Sequence, residues 1–407
     1  MRVLYSFPHT LGKPGISTTA YHQVAELIRA GAEVDVVCTT LGRDLPGARR
    51  VVETLQLAGR RVPHRTMGVE RAYAYHDRRA SRVVEQLRRS IDLVHCWPAG
   101  CLQTIAACRR IGIPSFREAP SAHTQTAYEV AAKEAAAVGV PLPRGHHHRH
   151  DERRLDRELH EFAAVDFLLV PSAYVEQTFL ERGHPANRLV RHRYGYDPAA
   201  FPRPDRPRPS GERGLTAAFV GRGEPNKGLH HALRAWVDSG ASEHGHLVVC
   251  GEILPGYRES LTPLLAHPSV QELGFHADVA TVMRDADVLL LPSLTEGSAL
   301  VTYEAQASGC ALLVSEAAGA QCRHMAQGLV HAPGDVVALT EHLGRVDRDR
   351  ALLRRLQEEA LANAARLTWA AAALELERAY AEGLDRFDRG CARRAEKEHA
   401  DDQPVLA

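Results

Sequence analysis

The sequence contains no C-x-x-C pair, although eight cysteines are scattered through its 407 residues. Cysteines at that spacing hold zinc in zinc ribbons or carry redox chemistry in thioredoxin-like proteins, so neither class is predicted. Isolated cysteines in a chain of this length indicate reduced thiols, and we expect a cytoplasmic protein.

An excess of charge of one sign is also lacking, because 50 lysines and arginines balance 50 aspartates and glutamates. A neutral chain offers no global attraction for a nucleic-acid backbone, so nucleic acid is not an expected partner. No uncharged apolar run approaches the roughly 20 residues that span a bilayer, which leaves only peripheral contact with the inner membrane face. The apolar run in residues 1–8 is too short for a signal peptide and predicts a buried strand.

Apolar residues make up 44% of the chain and occur in strand-length runs separated by helical patterns. This alternation is typical of α/β proteins in which helices cover both faces of a parallel sheet. The runs form two groups: residues 34–38, 92–96, 113–116 and 167–170, and then residues 215–220, 246–250, 288–291 and 311–314. Because one ordinary core cannot accommodate so long a chain, we predict two doubly wound domains.

A change of composition separates the two groups, since residues 198–214 contain five prolines amid arginines. Proline interrupts regular structure and stiffens the chain, so this segment is predicted to be an interdomain linker. The predicted domains are residues 1–197 and 215–369. An amphipathic helix over 370–388 is expected to pack back on the first domain, and the charged residues 389–407 are expected to form a frayed tail.

Two glutamates lie in a segment, residues 294–304, that follows a predicted strand and leads into a short helix. Gly297 permits close approach of the backbone, and the unpaired N–H groups of a helix start attract anions. Glu296 is placed to accept hydrogen bonds from sugar hydroxyls, and Glu304 to hold a ribose diol. The alternative is an acid at a helix N-terminus plus an unrelated surface acid.

Two cations lie in a glycine-rich turn over residues 219–228, which also follows a predicted strand. Arg222 and Lys227 suit a pyrophosphate, the first as a planar fork and the second as a point charge. The glycine spacing matches neither a P-loop nor a dinucleotide fingerprint. In an isolated loop, Arg222 and Lys227 would be surface charges more often than ligands.

Together these two segments resemble glycosyltransferase family 4. The resemblance rests on Glu296 and Glu304 with seven residues between them, and on Arg222 and Lys227 between Gly221 and Gly228. Residues 170–172 and 194–198 are similar to the family's crossover into its second domain. The resemblance implies the GT-B fold, in which two Rossmann-like domains face each other across a cleft.

The resemblance also implies roles for the matching residues. Arg222 and Lys227 would neutralise the donor diphosphate, Glu304 would bind the ribose, and Glu296 with the backbone of residues 297–300 would hold the sugar. The full expected donor set is Gly15, Gly221, Arg222, Lys227, Phe275, Glu296, Gly297, Ser298, Ala299, Leu300 and Glu304. The family has a double glycine in the loop after its first strand, where the backbone comes close to the donor phosphates. This sequence has Gly15 followed by Ile16, so the backbone can approach the phosphates at one residue and not at two.

The family further places a histidine near the transferred sugar, after a strand of the first domain. His123 is our candidate, several residues beyond the predicted strand 113–116. Glu118 could occupy the equivalent space, and His123 could also be a structural residue.

No metal ion or other cofactor is expected. The Asp-x-Asp letters of residues 285–287 precede a strand, on the edge of the sheet opposite to ligand sites. The same Asp-x-Asp pattern at residues 347–349 lies in a charged helical stretch, so neither occurrence is predicted to hold a metal ion. The segment 144–157, with His146, His147 and His148, is predicted to be a solvated basic loop and helix start, because adjacent histidines on a regular element cannot all face one ion.

The resulting prediction is a retaining glycosyltransferase of the hexosyl or N-acetylhexosaminyl class. It would move a sugar from a nucleoside-diphosphate donor, UDP before GDP, to a hydroxyl on a glycan, a lipid-linked glycan or a small natural product. Two other functions compete: a nucleotide-sugar 2-epimerase of the same fold, and a non-catalytic sugar-nucleotide-binding partner of a transferase, which the change at Gly15–Ile16 would suit.

Overall fold

The computed structural model describes residues 1–57, 60–61, 68–205, 214–276 and 278–401. Residues 206–213 of the predicted linker and residues 402–407 of the predicted tail lie outside the described residues. The described residues form two separate parallel sheets covered by helices, as the alternating pattern predicts.

The first sheet uses the first half of the chain. Its region contains the strands β1 (Arg2–Leu11), β2 (Glu33–Leu41), β3 (Arg50–Glu53), β4 (Gln56–Leu57), β5 (Arg60–Arg61), β6 (Leu93–Cys96), β7 (Ser115–Glu118), β8 (Phe167–Val170) and β9 (Leu189–Arg191). Seven of them pair in the order β3-β2-β1-β6-β7-β8-β9, all parallel, and β4 pairs with β5 as a separate antiparallel ribbon.

The second sheet uses the second half. Its strands are β10 (Thr216–Val220), β11 (His246–Cys250), β12 (Val270–Gly274), β13 (Val288–Leu291), β14 (Ala311–Ser315) and β15 (Gly328–His331). They are all parallel and lie in the order β12-β11-β10-β13-β14-β15.

Seven helices lie in the described residues up to residue 238. They are α1 (Ile16–Arg29), α2 (Val69–Leu87), α3 (Leu102–Ile111), α4 (Thr124–Ala137), α5 (Glu152–Ala164), α6 (Ala173–Glu181) and α7 (Leu229–Asp238). The rest are α8 (Pro255–Ser260), α9 (Thr262–Leu265), α10 (Val279–Arg284), α11 (Leu300–Ala307), α12 (Val336–Arg348), α13 (Arg350–Ala364) and α14 (Trp369–Asp401). Among these residues, no helix is both long and apolar enough to cross a membrane.

Each sheet reverses its strand order at one point. The reversal lies between β1 and β6 in the first sheet and between β10 and β13 in the second. Loops diverge there at the carboxyl ends of the strands and leave a crevice, which is the usual ligand site of an open α/β sheet. The two predicted donor segments are the loops after β10 and β13, so they flank the crevice of the second sheet.

Helix α14 returns to the first sheet. Its residues Leu376, Ala379 and Tyr380 are buried in the same apolar cluster as strands β1 and β2. The Tyr380 hydroxyl lies 2.6 Å from Nδ1 of His95 on β6. Burial of these apolar residues explains why the helix packs back on the first domain, as its amphipathic sequence pattern predicts. The helix continues to Asp401, beyond the point at which the sequence pattern suggested a frayed tail.

Candidate active site

The loops after β10 and β13 are in direct contact. Gly228 has a φ of +70°, and a Cβ atom there would lie 2.2 Å from the carbonyl oxygen of Pro292, so only glycine fits both its backbone and its surroundings. The Leu294 N–H donates to the carbonyl of Asn226 at 2.8 Å. The tight turn therefore holds the Arg222–Lys227 loop against the Glu296 loop.

Lys227 and Glu296 form an ion pair across this contact. Their side chains are only 23% and 14% exposed. The Ser293 hydroxyl lies 3.4 Å from the same Glu296 oxygen. Each charge thus neutralises the other inside a partly desolvated crevice, where pairing is stronger than at an open surface.

Glu304 lies on α11, and its carboxyl group has no hydrogen bond or ion pair with any residue in the described part of the chain. Burial alone raises the pKa of this carboxyl to about 7. A half-buried carboxylate without donors is costly, which makes it ready to accept hydrogen bonds from a ligand.

The start of α11 differs from the expectation at one position. The Ala299 N–H is bonded to the Ala318 carbonyl at 3.1 Å, so it is not available to a donor sugar. The Ser298 hydroxyl is also engaged, by the Tyr303 hydroxyl at 2.7 Å. Within the described residues, nothing accepts from the N–H groups of Gly297, Ser298 and Leu300. The anion-attracting helix start is therefore present, but with one donor fewer than predicted.

Three other predicted donor residues lie around the loops. Arg222 is 60% exposed and forms an ion pair at 2.9 Å with the buried Glu224. Gly221 follows β10 with a φ of +144°. Phe275 directly follows the edge strand β12 and is 78% exposed, so its ring is open to stacking.

The two halves of the molecule meet at the Glu296 loop. A Cβ atom on Gly297 would lie 1.8 Å from the carbonyl oxygen of Pro120. The Ser172 hydroxyl donates to the Gly297 carbonyl at 2.5 Å, and the Tyr174 hydroxyl donates to the Leu294 carbonyl at 3.2 Å. Sequence reasoning did not single out these contacts, although Ser172 lies in the segment that resembles the family's crossover.

His123 and Glu118 occupy different environments. The His123 ring packs against Phe162 and Phe179, with centroids 5.3 and 5.1 Å away, and burial lowers its pKa to about 4. It is therefore neutral at pH 7, and its role near the sugar stays a prediction.

Glu118 is completely buried and bonds to His192 at 2.8 Å and Tyr194 at 2.7 Å. The hydrogen bonds and charge interactions with two histidines hold the pKa of its carboxyl well below the usual range, despite burial. These bonds engage the Glu118 carboxylate inside the first half of the chain, and the alternative that placed it beside the donor sugar stays a prediction. The side chain of Glu118, on the strand itself, points into the core.

A pocket of about 450 Å³ lies at the crevice of the first sheet. Its lining includes Trp97 after β6, Ile16 at the start of α1, and Tyr73. Gly15 caps α1 with a φ of +85°, and a Cβ atom there would meet nothing within 4 Å. Gly15 is therefore required by its backbone conformation rather than by a close contact, and the Ile16 side chain reaches the pocket.

The histidine-rich segment forms a largely exposed loop and the start of α5, as the sequence predicts, but the side chain of His146 is covered. His146 is only 3% exposed, and its Nε2 lies 3.5 Å from the buried Glu224 carboxylate beside Arg222. His147 lines the pocket of the first sheet, and burial followed by the nearby His146 and Arg222 lowers its pKa to about 4. Contacts with the other half of the chain place this segment between the two crevices. A pattern of charges along the sequence does not predict such contacts.

The Asp-x-Asp letters of residues 285–287 lie on the opposite edge of the second sheet, as predicted. The Asp287 carboxylate accepts a hydrogen bond from the Thr216 N–H, 2.8 Å away at the beginning of β10. This hydrogen bond links the beginnings of β10 and β13, and the aspartate does not face the crevice.

Family models match both halves of the chain. The model described as Glycosyltransferase Family 4 matches residues 14–200, and the model described as Glycosyl transferases group 1 matches residues 214–349. A D-inositol 3-phosphate glycosyltransferase from Nocardia farcinica is 28% identical over 323 residues, which are 74% of this chain and 69% of the relative.

Two solved structures illustrate the fold. Sucrose-phosphate synthase from Thermosynechococcus elongatus has a TM-score of 0.67 at 19% identity and covers 94% of this chain and 98% of its own. The Anabaena protein HepE in complex with UDP has a TM-score of 0.61 at 17% identity and covers 94% of this chain and 100% of its own.

Two parallel sheets with facing crevices, and the matches to both halves, define a glycosyltransferase with the GT-B fold. The chain belongs to glycosyltransferase family 4.

Proposed function

We propose that this glycosyltransferase uses a UDP-sugar, with GDP-mannose as the next candidate, and transfers the sugar with retention to a hydroxyl of a neutral ring-shaped acceptor. The observation that carries the donor assignment is the Lys227–Glu296 ion pair beside the unpartnered Glu304 carboxylate. HepE, which has the same fold, is seen in complex with UDP and with UDP-glucose.

The ion pair suggests how the donor is received. A diphosphate entering the crevice would draw the Lys227 ammonium group away from Glu296, since phosphate is the stronger anionic partner. The Glu296 carboxylate would then accept hydrogen bonds from sugar hydroxyls, while Glu304 would take the ribose diol. One exchange of partners thus couples recognition of the diphosphate to recognition of the sugar.

The same cations would promote bond cleavage. As the anomeric C–O bond breaks, negative charge grows on the leaving diphosphate, and Lys227, Arg222 and the N–H groups at the start of α11 would stabilise it. We propose that no metal ion takes part in this step. The Gly297–Pro120 contact supports a closed arrangement that excludes water from the reacting centre.

The pocket of the first sheet supports a neutral acceptor. Its two arginines are already engaged, Arg154 with Glu158 at 2.8 Å and Arg157 with Glu70. The aromatic ring of Tyr73, which is partly exposed, remains in the lining, and such a ring suits the apolar face of a sugar or a polyol ring. The pocket also favours transfer over 2-epimerisation, because an epimerase needs no acceptor site.

A donor screen followed by a transfer assay tests the proposal. UDP-, GDP- and ADP-sugars are added to the protein, and a true donor should raise the melting temperature by mass action. The stabilising donor is then incubated alone: slow hydrolysis with retained configuration supports transfer, whereas an epimerised donor supports the competing function. Transfer to a neutral glycoside or polyol should persist after treatment with EDTA, and a complete loss that Mg²⁺ or Mn²⁺ restores but Zn²⁺ does not would refute the metal-free step.

A further inference from the structure

Two adjacent histidines and one glutamate meet where the two halves of the chain touch, outside the donor site described above. Glu134 lies on α4 of the first half, and His230 and His231 lie in the first turn of α7 in the second half. Nε2 of His230 is 2.7 Å from Oε1 of Glu134, and Nε2 of His231 is 3.3 Å from the same oxygen.

We propose that Glu134, His230 and His231 bind a first-row divalent transition metal ion of the Zn²⁺ class, which ties α4 to α7. One ligand atom from each side chain lies within 4.8 Å of the other two. In a tetrahedral zinc site with bonds of about 2.0–2.1 Å, ligand atoms are roughly 3.3 Å apart. The three atoms therefore need only small shifts to surround one ion, with a fourth position open to water.

His230 and His231 are adjacent on α7, yet the ring nitrogens of both lie close to the Glu134 carboxylate. The two rings are 4.0 Å apart between centroids, at an angle of 55°, and both reach the same carboxylate oxygen. The side chains are partly exposed, 15% for each histidine and 9% for the glutamate, so an ion can enter from solvent.

Tyr257 on α8 supplies the hydrogen bond that usually orients a metal-bound histidine. Its hydroxyl oxygen lies 2.6 Å from Nδ1 of His230 and also accepts from the His230 backbone N–H at 2.9 Å. Coordination through Nε2 moves the imidazole proton to Nδ1, where the Tyr257 oxygen can accept it. Such outer partners fix the tautomer and the direction of the ring.

The types of ligand also suit an ion of this class, because imidazole nitrogens and a carboxylate oxygen are common zinc ligands. Nδ1 of His231 is buried and has no hydrogen-bond partner among the described residues.

An ion at this location would also affect the neighbouring Lys227 loop. Helix α7 begins directly after Gly228, so an ion fixed between α4 and α7 also fixes the Lys227 loop relative to the first half of the chain. The site thus acts as a clamp between the two halves, independent of the donor chemistry proposed above.

Metal binding to the full chain, without any sugar nucleotide, tests the clamp. The protein is freed of metal with a chelator and titrated with Co²⁺, whose visible absorption reports tetrahedral nitrogen and oxygen ligands, and with Zn²⁺ by calorimetry. We expect one ion per chain and a higher melting temperature when it is bound. Failure of wild-type protein to bind Co²⁺ or Zn²⁺ would overturn the proposal.

Variants locate the ion. Glu134→Gln and His231→Ala should each weaken binding by at least about 100-fold, and Tyr257→Phe by roughly 10- to 100-fold, which is typical of an outer partner. His146→Ala is the matched control, because His146 belongs to the other cluster of potential ligands, with His147 and Glu224. Binding that survives Glu134→Gln and is lost in His146→Ala would refute the proposed site. Glu134→Gln keeps the volume of the side chain, so it remains informative if an alanine variant fails to fold.

Discussion

Replacing Lys227 with methionine should lower kcat/KM for the donor by about 10- to 100-fold. A charge-assisted hydrogen bond is worth roughly 1.5–3 kcal/mol, and each 1.4 kcal/mol is about a factor of ten. The Lys227 side chain is 23% exposed, so solvent screens its charge only partly. Arg222 is 60% exposed, and Arg222→Met should therefore cost less, about tenfold at most.

The same substitution has a second, separable effect on stability. Lys227→Met leaves the Glu296 carboxylate, 14% exposed, without its cation. An unpaired buried group of this kind costs about 1–3 kcal/mol in the free energy of unfolding. The double variant Lys227→Met/Glu296→Gln removes both charges, so it should regain most of the stability while activity stays low.

Denaturant unfolding and steady-state kinetics on the three variants and the wild type separate these effects. The assignment predicts that stability and kcat/KM move independently between the single and the double variant. Two outcomes contradict it: a folded Lys227→Met protein with unchanged kcat/KM, or a double variant in which activity returns together with stability. The second would mean that Lys227 serves only to neutralise Glu296.

Three further substitutions probe the neighbouring residues. Glu304→Gln should raise the donor KM and make it independent of pH, whereas the wild-type KM should fall as pH rises through about 7, because the ribose diol donates to the ionised carboxylate. Since the folded pKa of Glu304 is raised, the wild type loses stability as pH rises from about 4.5 to about 7, and Glu304→Gln should be more stable at pH 8 by up to about 3 kcal/mol. A donor KM with the same pH profile in both proteins would argue against the role of Glu304. Gly297→Ala should lower the melting temperature, at a cost of about 1–3 kcal/mol, and reduce activity at least tenfold, because its methyl group would overlap the Pro120 carbonyl; Gly240→Ala, with open space around it, is the control and should change neither. Glu118→Ala should cost roughly 3–5 kcal/mol of unfolding free energy by stranding buried partners, with an unchanged donor KM in the protein that remains folded; a stable variant that no longer binds donor would restore Glu118 to the donor site.

Local patterns were enough to predict the framework. Apolar runs such as residues 288–291 and 311–314 became β13 and β14, because a strand buried on both faces must be apolar along its whole length. The glycine-rich turn with Lys227 and the short helix with Glu304 were predicted for a similar reason. A tight turn and a helix start each demand particular residue types within a few positions, so their signals are local.

Contacts between distant segments could not be predicted in this way. Burial of Glu118 depends on its partners His192 and Tyr194, more than 70 positions along the chain, and a carboxylate after a strand can point to the cleft or the core. The His146 segment was interpreted from its charge as solvated, and most of it is exposed, but the charge pattern did not reveal that the His146 side chain itself contacts Glu224 in the other half of the chain. The Ala299 N–H was expected to be unpaired, because its partner, the Ala318 carbonyl, belongs to a short 3-10 helix later in the chain.

The sequence by itself determined the two parallel sheets and the residues that flank the donor crevice. Periodicity and turn chemistry act over short distances, and the switch in strand order places the loops after β10 and β13 side by side. Only the tertiary structure decided which charges neutralise each other, which N–H groups remain unpaired, and that Glu134 meets His230 and His231. Those properties depend on distances of a few ångströms between residues far apart in the chain, and no local pattern encodes them.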